Sequence, residues 1–174
     1  MRANAYTVRS LPPVQPRVPA MPDLLVRLYD LPEDSRKLPP GVTVRRGLAP
    51  ERRRVVEWVG RTFFPGWASE CEVAYSGHPI STWIATRDGR LIGFACADAT
   101  AKGFFGPTGV DEAERGQGIG LALLMATLRG MRDAGYAYAI IGGAGPVAFY
   151  QKQLDALEIP GSVPGPYRHL LPRE

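Results

Sequence analysis

Between residues 115 and 120 the chain reads Arg-Gly-Gln-Gly-Ile-Gly, three glycines within five consecutive positions. A β-rich stretch, Phe104–Val110, precedes this run. An apolar pattern with helical spacing follows it, carried by Leu121, Leu124, Met125, Leu128 and Met131 up to the stop at Gly135. Glycine is unfavourable at a helix start, so its repetition needs a physical reason. The first amides of a helix have no intrahelical acceptor and lie at the positive end of the helix dipole. Removing Cβ at Gly116, Gly118 and Gly120 lets an anion approach those amides, and Arg115 adds a fixed positive charge. A glycine-rich turn that only packs a helix on a sheet is the plainer alternative; Arg115 and the strand–helix context favour anion binding.

Two other phosphate loops are excluded by spacing. No Lys-Ser or Lys-Thr follows the glycines, as a nucleotide-triphosphate loop requires, and the G-x-G-x-G order is not the G-x-G-x-x-G of dinucleotide folds.

The remaining elements predict a mixed α/β domain. Leu24–Tyr29 reads as an edge strand, and Val42–Arg46 alternates as the first secure strand. Ala49–Phe63 has apolar Val55, Val56, Trp58 and Val59 among charges and reads as an amphipathic helix, with a second short helix over Trp67–Tyr75. Ser81–Thr86 and Leu91–Ala97 flank Asp88-Gly89, a strong hairpin signal. Tyr136–Ile141 reads as a buried strand, a short helix starts at Pro146, and a last strand is expected near Tyr167–Leu171. The parallel crossover in this order should be right-handed.

Composition removes several function classes. No run approaches the roughly 18 apolar residues of a membrane span, so no membrane association is expected. Cys71 and Cys96 stand apart, and His78 and His169 are single. That pattern offers neither a disulfide framework nor a metal site, so no metal is expected and a reducing, cytoplasmic setting is. Residues 1–54 hold eleven Lys and Arg against five Asp and Glu, but no nucleic-acid-binding signature accompanies them, and a solvated basic surface is the expected reading. Pro12, Pro13, Pro16, Pro19 and Pro22 argue against a helical targeting peptide. Residues 1–22 are therefore expected to be a flexible Pro/Arg-rich extension, with one domain over 23–174.

Arg115-Gly-Gln-Gly-Ile-Gly120 resembles the [QR]-x-x-G-x-[GA] acetyl-CoA pyrophosphate motif of the GNAT superfamily of N-acyltransferases. The element order is similar to that fold over about residues 24–171. The resemblance implies a GNAT-type mixed sheet in which the strand before the motif bulges and splays from its parallel neighbour. Pantetheine then adds along Thr108, Gly109 and Val110, with Gly109 suited to the bulge. Acetyl-CoA would be the cosubstrate, held by Arg115, Gly116, Gln117, Gly118, Ile119 and Gly120. Ile140–Gly145 would form the opposite lip, and Tyr150 in the following helix would be the general acid to the departing thiolate.

Two departures from the family pattern fall on the acceptor side. Ala144-Gly145-Pro146 replaces an asparagine common before this helix, and Leu154–Glu158 replaces the usual Gly-Phe. Glu70, Glu72, Asp98, Asp111 or a water chain could serve as general base, and Phe104, Phe105, Trp67 and Trp83 could line the acceptor pocket. The implied reaction is acetyl transfer to a primary amine, with a small molecule as the expected acceptor. A protein N-terminus or lysine is the alternative acceptor, a non-catalytic acyl-CoA sensor the alternative function, and a homodimer is left open.

Overall fold

The computed structural model describes residues 21–33 and 37–171. Among the described residues, seven strands form one sheet in the order β2-β3-β4-β5-β6-β1-β7. They span β1 Leu24–Arg27, β2 Val42–Arg46, β3 Thr82–Arg87, β4 Arg90–Ala97, β5 Phe104–Val110, β6 Tyr138–Ile141 and β7 Leu157–Glu158. Every adjacent pair is antiparallel except β5 with β6.

Helices α1 (Arg52–Thr62) and α2 (Pro65–Ser76) pack together and cover one face of this sheet. Helix α3 (Ile119–Asp133) lies along β3, β4 and β5 on the other, and α4 (Val147–Leu154) packs near β1. Two cores result. Leu121, Leu124, Met125, Leu128 and Met131 of α3 join Ile92, Phe105 and Trp83 in the larger one. Val55, Val59, Cys71 and Ala74 join Ile84, Phe94 and Cys96 under α1 and α2. The two cysteines, distant in sequence, thus meet in the smaller core, where burial pushes the Cys96 thiol well up.

Local chemistry explains most element boundaries. The β3–β4 turn is Asp88-Gly89, with φ of 49° and 80°, the doubly left-handed geometry a tight hairpin needs. Pro65 opens α2 at the first turn, where its missing N–H costs nothing, so the helix begins two residues before its expected start.

Three expectations are corrected. The first strand ends at Arg27, and it is not an edge: it inserts between β6 and β7, with Leu24 and Val26 fully buried. The expected strand at Tyr167–Leu171 is a 3-10 turn over Gly165–His169, because Pro164 and Pro166 supply no N–H for a ladder. The closing strand is instead β7, two residues long and paired with β1.

Most of the expected extension lies outside the described residues, but Pro22 belongs to the fold. Its carbonyl accepts the Ala144 N–H at 2.9 Å, and the buried Asp23 carboxylate accepts the Gly143 N–H at 2.8 Å. A Pro-rich basic arm has little apolar surface to bury, so removing residues 1–20 is expected to leave the melting temperature unchanged. Removal through Asp23 should lower it, since the buried Ala144 amide and the half-buried Gly143 amide lose their acceptors, at up to about 1–3 kcal/mol each. Thermal melts of the two truncations check this.

Candidate functional site

The site is built where β5 leaves β6. The two strands pair only at Phe104–Ile140 and Phe105–Ile141. Immediately beyond, Gly106 and Pro107 together oppose the single residue Cys96 of β4, a β-bulge. Gly106 takes φ of 121°, which a side chain would resist, and Pro107 has no N–H to donate. The bulge thus sits at Gly106-Pro107 rather than at Gly109, and it turns β5 away from β6.

Residues 108–110 consequently pair with β4 alone. Asp111 N–H donates to the Ile92 carbonyl at 2.8 Å, which sets the phase of the strand. By alternation Gly109 also turns its backbone toward β4, whereas Thr108 and Val110 turn theirs to the open side. Of the three residues expected to supply that edge, two face it. Gly109 serves a different need: a Cβ there would collide with the Phe63 ring, which closes over the strand from the α1–α2 junction.

The glycine loop follows directly. Gly116 and Gly118 have φ of 78° and 80°, and Gly118 is the N-cap of α3 with no side-chain acceptor for the first amides. A Cβ at either position would meet no protein atom within 4 Å, so the space in front of the loop is open. The side chain of Ile119 is buried and anchors the helix start, while Gly120 lies against Val110, whose Cγ2 would be 3.6 Å from a Cβ there. Arg115 is exposed and donates through Nε to the Val110 carbonyl at 3.2 Å, which joins the loop to the open strand edge.

A residue not anticipated from the sequence holds this loop in place. Glu114 is buried and accepts from Arg87 at 2.8 and 3.1 Å, from Arg90 at 2.6 Å and from the Gln117 amide at 3.3 Å. The Arg87 hydrogen bonds, then the charges of Arg87 and Arg90, hold its carboxyl below the usual range. The Gln117 side chain is also tied to Arg87, at 2.8 Å, so Gln117 offers the open space only its main chain. No sequence spacing signals this clamp, since its arginines come from the β3–β4 hairpin.

On the opposite lip, β6 runs into Gly142–Gly145 and α4. Tyr150 belongs to the larger core at 7% exposure, and its hydroxyl hydrogen-bonds no described residue. Burial pushes its pKa above the ordinary tyrosine value.

The four candidate bases separate. Glu72 pairs with Arg52 at 2.8 Å on the surface. Asp111 caps the turn before the loop through the Ala113 N–H at 3.2 Å and faces Arg90 at 3.6 Å. Asp98 accepts from the Gly103 N–H at 2.7 Å and the Tyr136 hydroxyl at 2.9 Å. Glu70 accepts the Thr100 hydroxyl. Of the aromatic candidates, Phe105 and Trp83 are core beside α3, while Phe104 and Trp67 are half-buried. No cluster of three or more His, Cys, Asp or Glu that could hold a metal occurs among the described residues. No described helix is long and apolar enough to cross a membrane.

Two surface hollows lie elsewhere, one beside Arg46, Trp83 and Tyr136, the other beside Arg45, Trp58 and Arg61. Neither includes the loop or the parted strands.

Comparison with known proteins agrees with this architecture. The chain shares its fold with a GCN5-related glucosamine N-acetyltransferase region of a fungal multi-domain β-N-acetylglucosaminidase, at 17% identity and a TM-score of 0.63 over 80% of this chain and 20% of that one. It is similar to a GCN5-related N-acetyltransferase from Sphaerobacter thermophilus, at 23% identity and a TM-score of 0.60 over 80% and 49% of the two chains. A third such protein, from Kribbella flavida, gives 23% identity and a TM-score of 0.55 over 83% and 59%. The chain therefore spans less than two thirds of the length of these solved structures. No curated protein matches its sequence. The family model for the GNAT acetyltransferases matches residues 52–155, from the start of α1 to one residue past the end of α4. On that match, and with the parted strands and glycine loop in place, the chain belongs to the GNAT acetyltransferase family.

Proposed function

We propose that the protein transfers the acetyl group of acetyl-CoA directly to the primary amine of a small molecule. The observation that carries this reading is the left-handed pair Gly116 and Gly118 at the start of α3, open to solvent beside an unpaired strand edge. The loop amides and Arg115 suit a diphosphate, and the outward backbone groups of Thr108 and the Val110 N–H suit an amide-bearing arm laid along β5, the Val110 carbonyl being held by Arg115. The thioester of acetyl-CoA is already activated, so the protein's own task is to place the two reactants and to manage protons.

Transfer forms a C–N bond between the neutral amine and the acetyl carbon and breaks the C–S bond. The amine loses one proton, and the leaving sulfur gains one. In this reading Tyr150, from the helix after the second lip, supplies the latter, and its raised pKa keeps it protonated at neutral pH.

Acetyl-CoA should stabilise the fold. At a hundredfold excess over Kd a ligand adds about 2.7 kcal/mol to the native state. For a chain of this size that raises the melting temperature by about 5–10 °C. An unchanged melt at millimolar acetyl-CoA would sink the proposal, and an amine panel with detection of free coenzyme A tests the transfer itself.

A further inference from the structure

On the α2 side of the sheet, the open strand β5 runs beneath side chains that the glycine loop does not use. Phe63 closes over Gly109, and Trp67 packs on Phe63 and Phe64 with ring centroids 5.3 and 4.6 Å apart. Glu70 stands three residues along α2 from Trp67, on the same helix face. Its carboxylate accepts the hydroxyl of Thr100, in the connection between β4 and β5.

Tyr167, from the 3-10 turn Gly165–His169, comes near enough to Thr100 and Glu70 for both to act on its ionisation. The Tyr167 hydroxyl is 3.0 Å from where a Cβ on Gly142 would sit, and Phe104 is 2.8 Å from the same point. Gly142 immediately follows the last residue of β6 paired with β5. The row therefore ends where the two strands part.

Charge distinguishes Glu70 from the other glutamates nearby. Glu51, Glu57, Glu72 and Glu114 each face an arginine. Glu70 has no lysine or arginine partner among the described residues, although it is half-buried. A carboxylate partly removed from water without a counterion gains by taking a cation.

The geometry points to Glu70, Thr100 and Tyr167 as the pocket that receives the ammonium group of the acceptor, bordered by Phe63, Trp67 and Phe104 for a flat apolar group that carries it. This assignment rests on the acetyl-transfer reading and adds the acceptor class: an aromatic or similarly flat primary amine. Glu70 is the counterion, Thr100 fixes its carboxylate, and Tyr167 closes the pocket beside Gly142.

The test is calorimetric binding of phenethylamine and of its neutral counterpart phenethyl alcohol to the protein saturated with coenzyme A. The wild type should prefer the amine by about tenfold or more, the scale of one partly buried ion pair. Glu70→Gln should bring that preference within about twofold while leaving coenzyme A affinity unchanged, a pairing that general loss of structure would not produce. Trp67→Ala should weaken both ligands together. Equal binding of amine and alcohol by the wild type overturns the assignment without recourse to any variant, as does a preference that survives Glu70→Gln. Wild-type binding of phenethylamine without transfer from acetyl-CoA counts instead against the enzymatic reading. Transfer with a KM for the amine that is indifferent to Glu70→Gln leaves that reading standing and removes this pocket.

Discussion

Gly118→Glu should reduce acetyl-CoA affinity by about a hundredfold or more while the protein remains folded. Gly118 caps α3 with φ of 80°, and a Cβ there meets no protein atom within 4 Å. The substitution therefore causes no internal clash. Its structural cost is the left-handed backbone, about 1–2 kcal/mol for a residue with a side chain. Its functional cost is larger, because a carboxylate enters the space proposed for the diphosphate, and like charges brought together cost several kcal/mol. Calorimetric titration with coenzyme A, beside a thermal melt, separates the two costs. Gly118→Ala supplies the control, carrying the backbone strain without the charge. A Gly118→Glu protein that binds coenzyme A as tightly as wild type would show that the diphosphate does not lie on this loop.

Tyr150→Phe should lower kcat by about a hundredfold, within the range for loss of a general acid. The hydroxyl makes no hydrogen bond to a described residue, so its removal breaks no internal contact and should leave the melt almost unmoved. Acetyl-CoA affinity should be equally unaffected, since the proposed contact matters at the departing sulfur rather than to the bound thioester. The pKa sign is consistent with this role. Burial raises the Tyr150 pKa, so the donor stays protonated beyond the pH at which an ordinary tyrosine ionises. Steady-state rates with the best acceptor from the amine panel check the prediction. Wild-type turnover in Tyr150→Phe would make this residue a packing element.

These two residues were legible in the chain for different reasons. Gly118 stands out because its neighbours repeat an unfavourable choice at a helix start, a purely local signal. Tyr150 stood out only through the family resemblance, since nothing in its own spacing separates an acid from a core ring. Glu114 was not legible at all. Its partners Arg87 and Arg90 flank the hairpin turn, and the sheet register brings them to the loop.

What the sequence determined by itself is the set of features governed by local dihedral preference and by periodicity. Asp88-Gly89 specifies a tight hairpin because few residue pairs accept two left-handed conformations in succession. The apolar spacing of α3 specifies one buried face, and the glycines before it specify an exposed, anion-compatible start. Tertiary structure alone decided how distant segments meet. A four-residue run such as Leu24–Arg27 reads alike at an edge or between two neighbours, and only pairing with β6 and β7 buries it. The bulge position likewise depends on β4, because two residues count as a bulge only when one residue opposes them. Glu70, Thr100 and Tyr167 share no local pattern, and they converge because α2, the β4–β5 connection and the tail all fold onto the parting of β5 from β6. Such contacts depend on the path of the whole chain, which residue spacing within one segment does not encode.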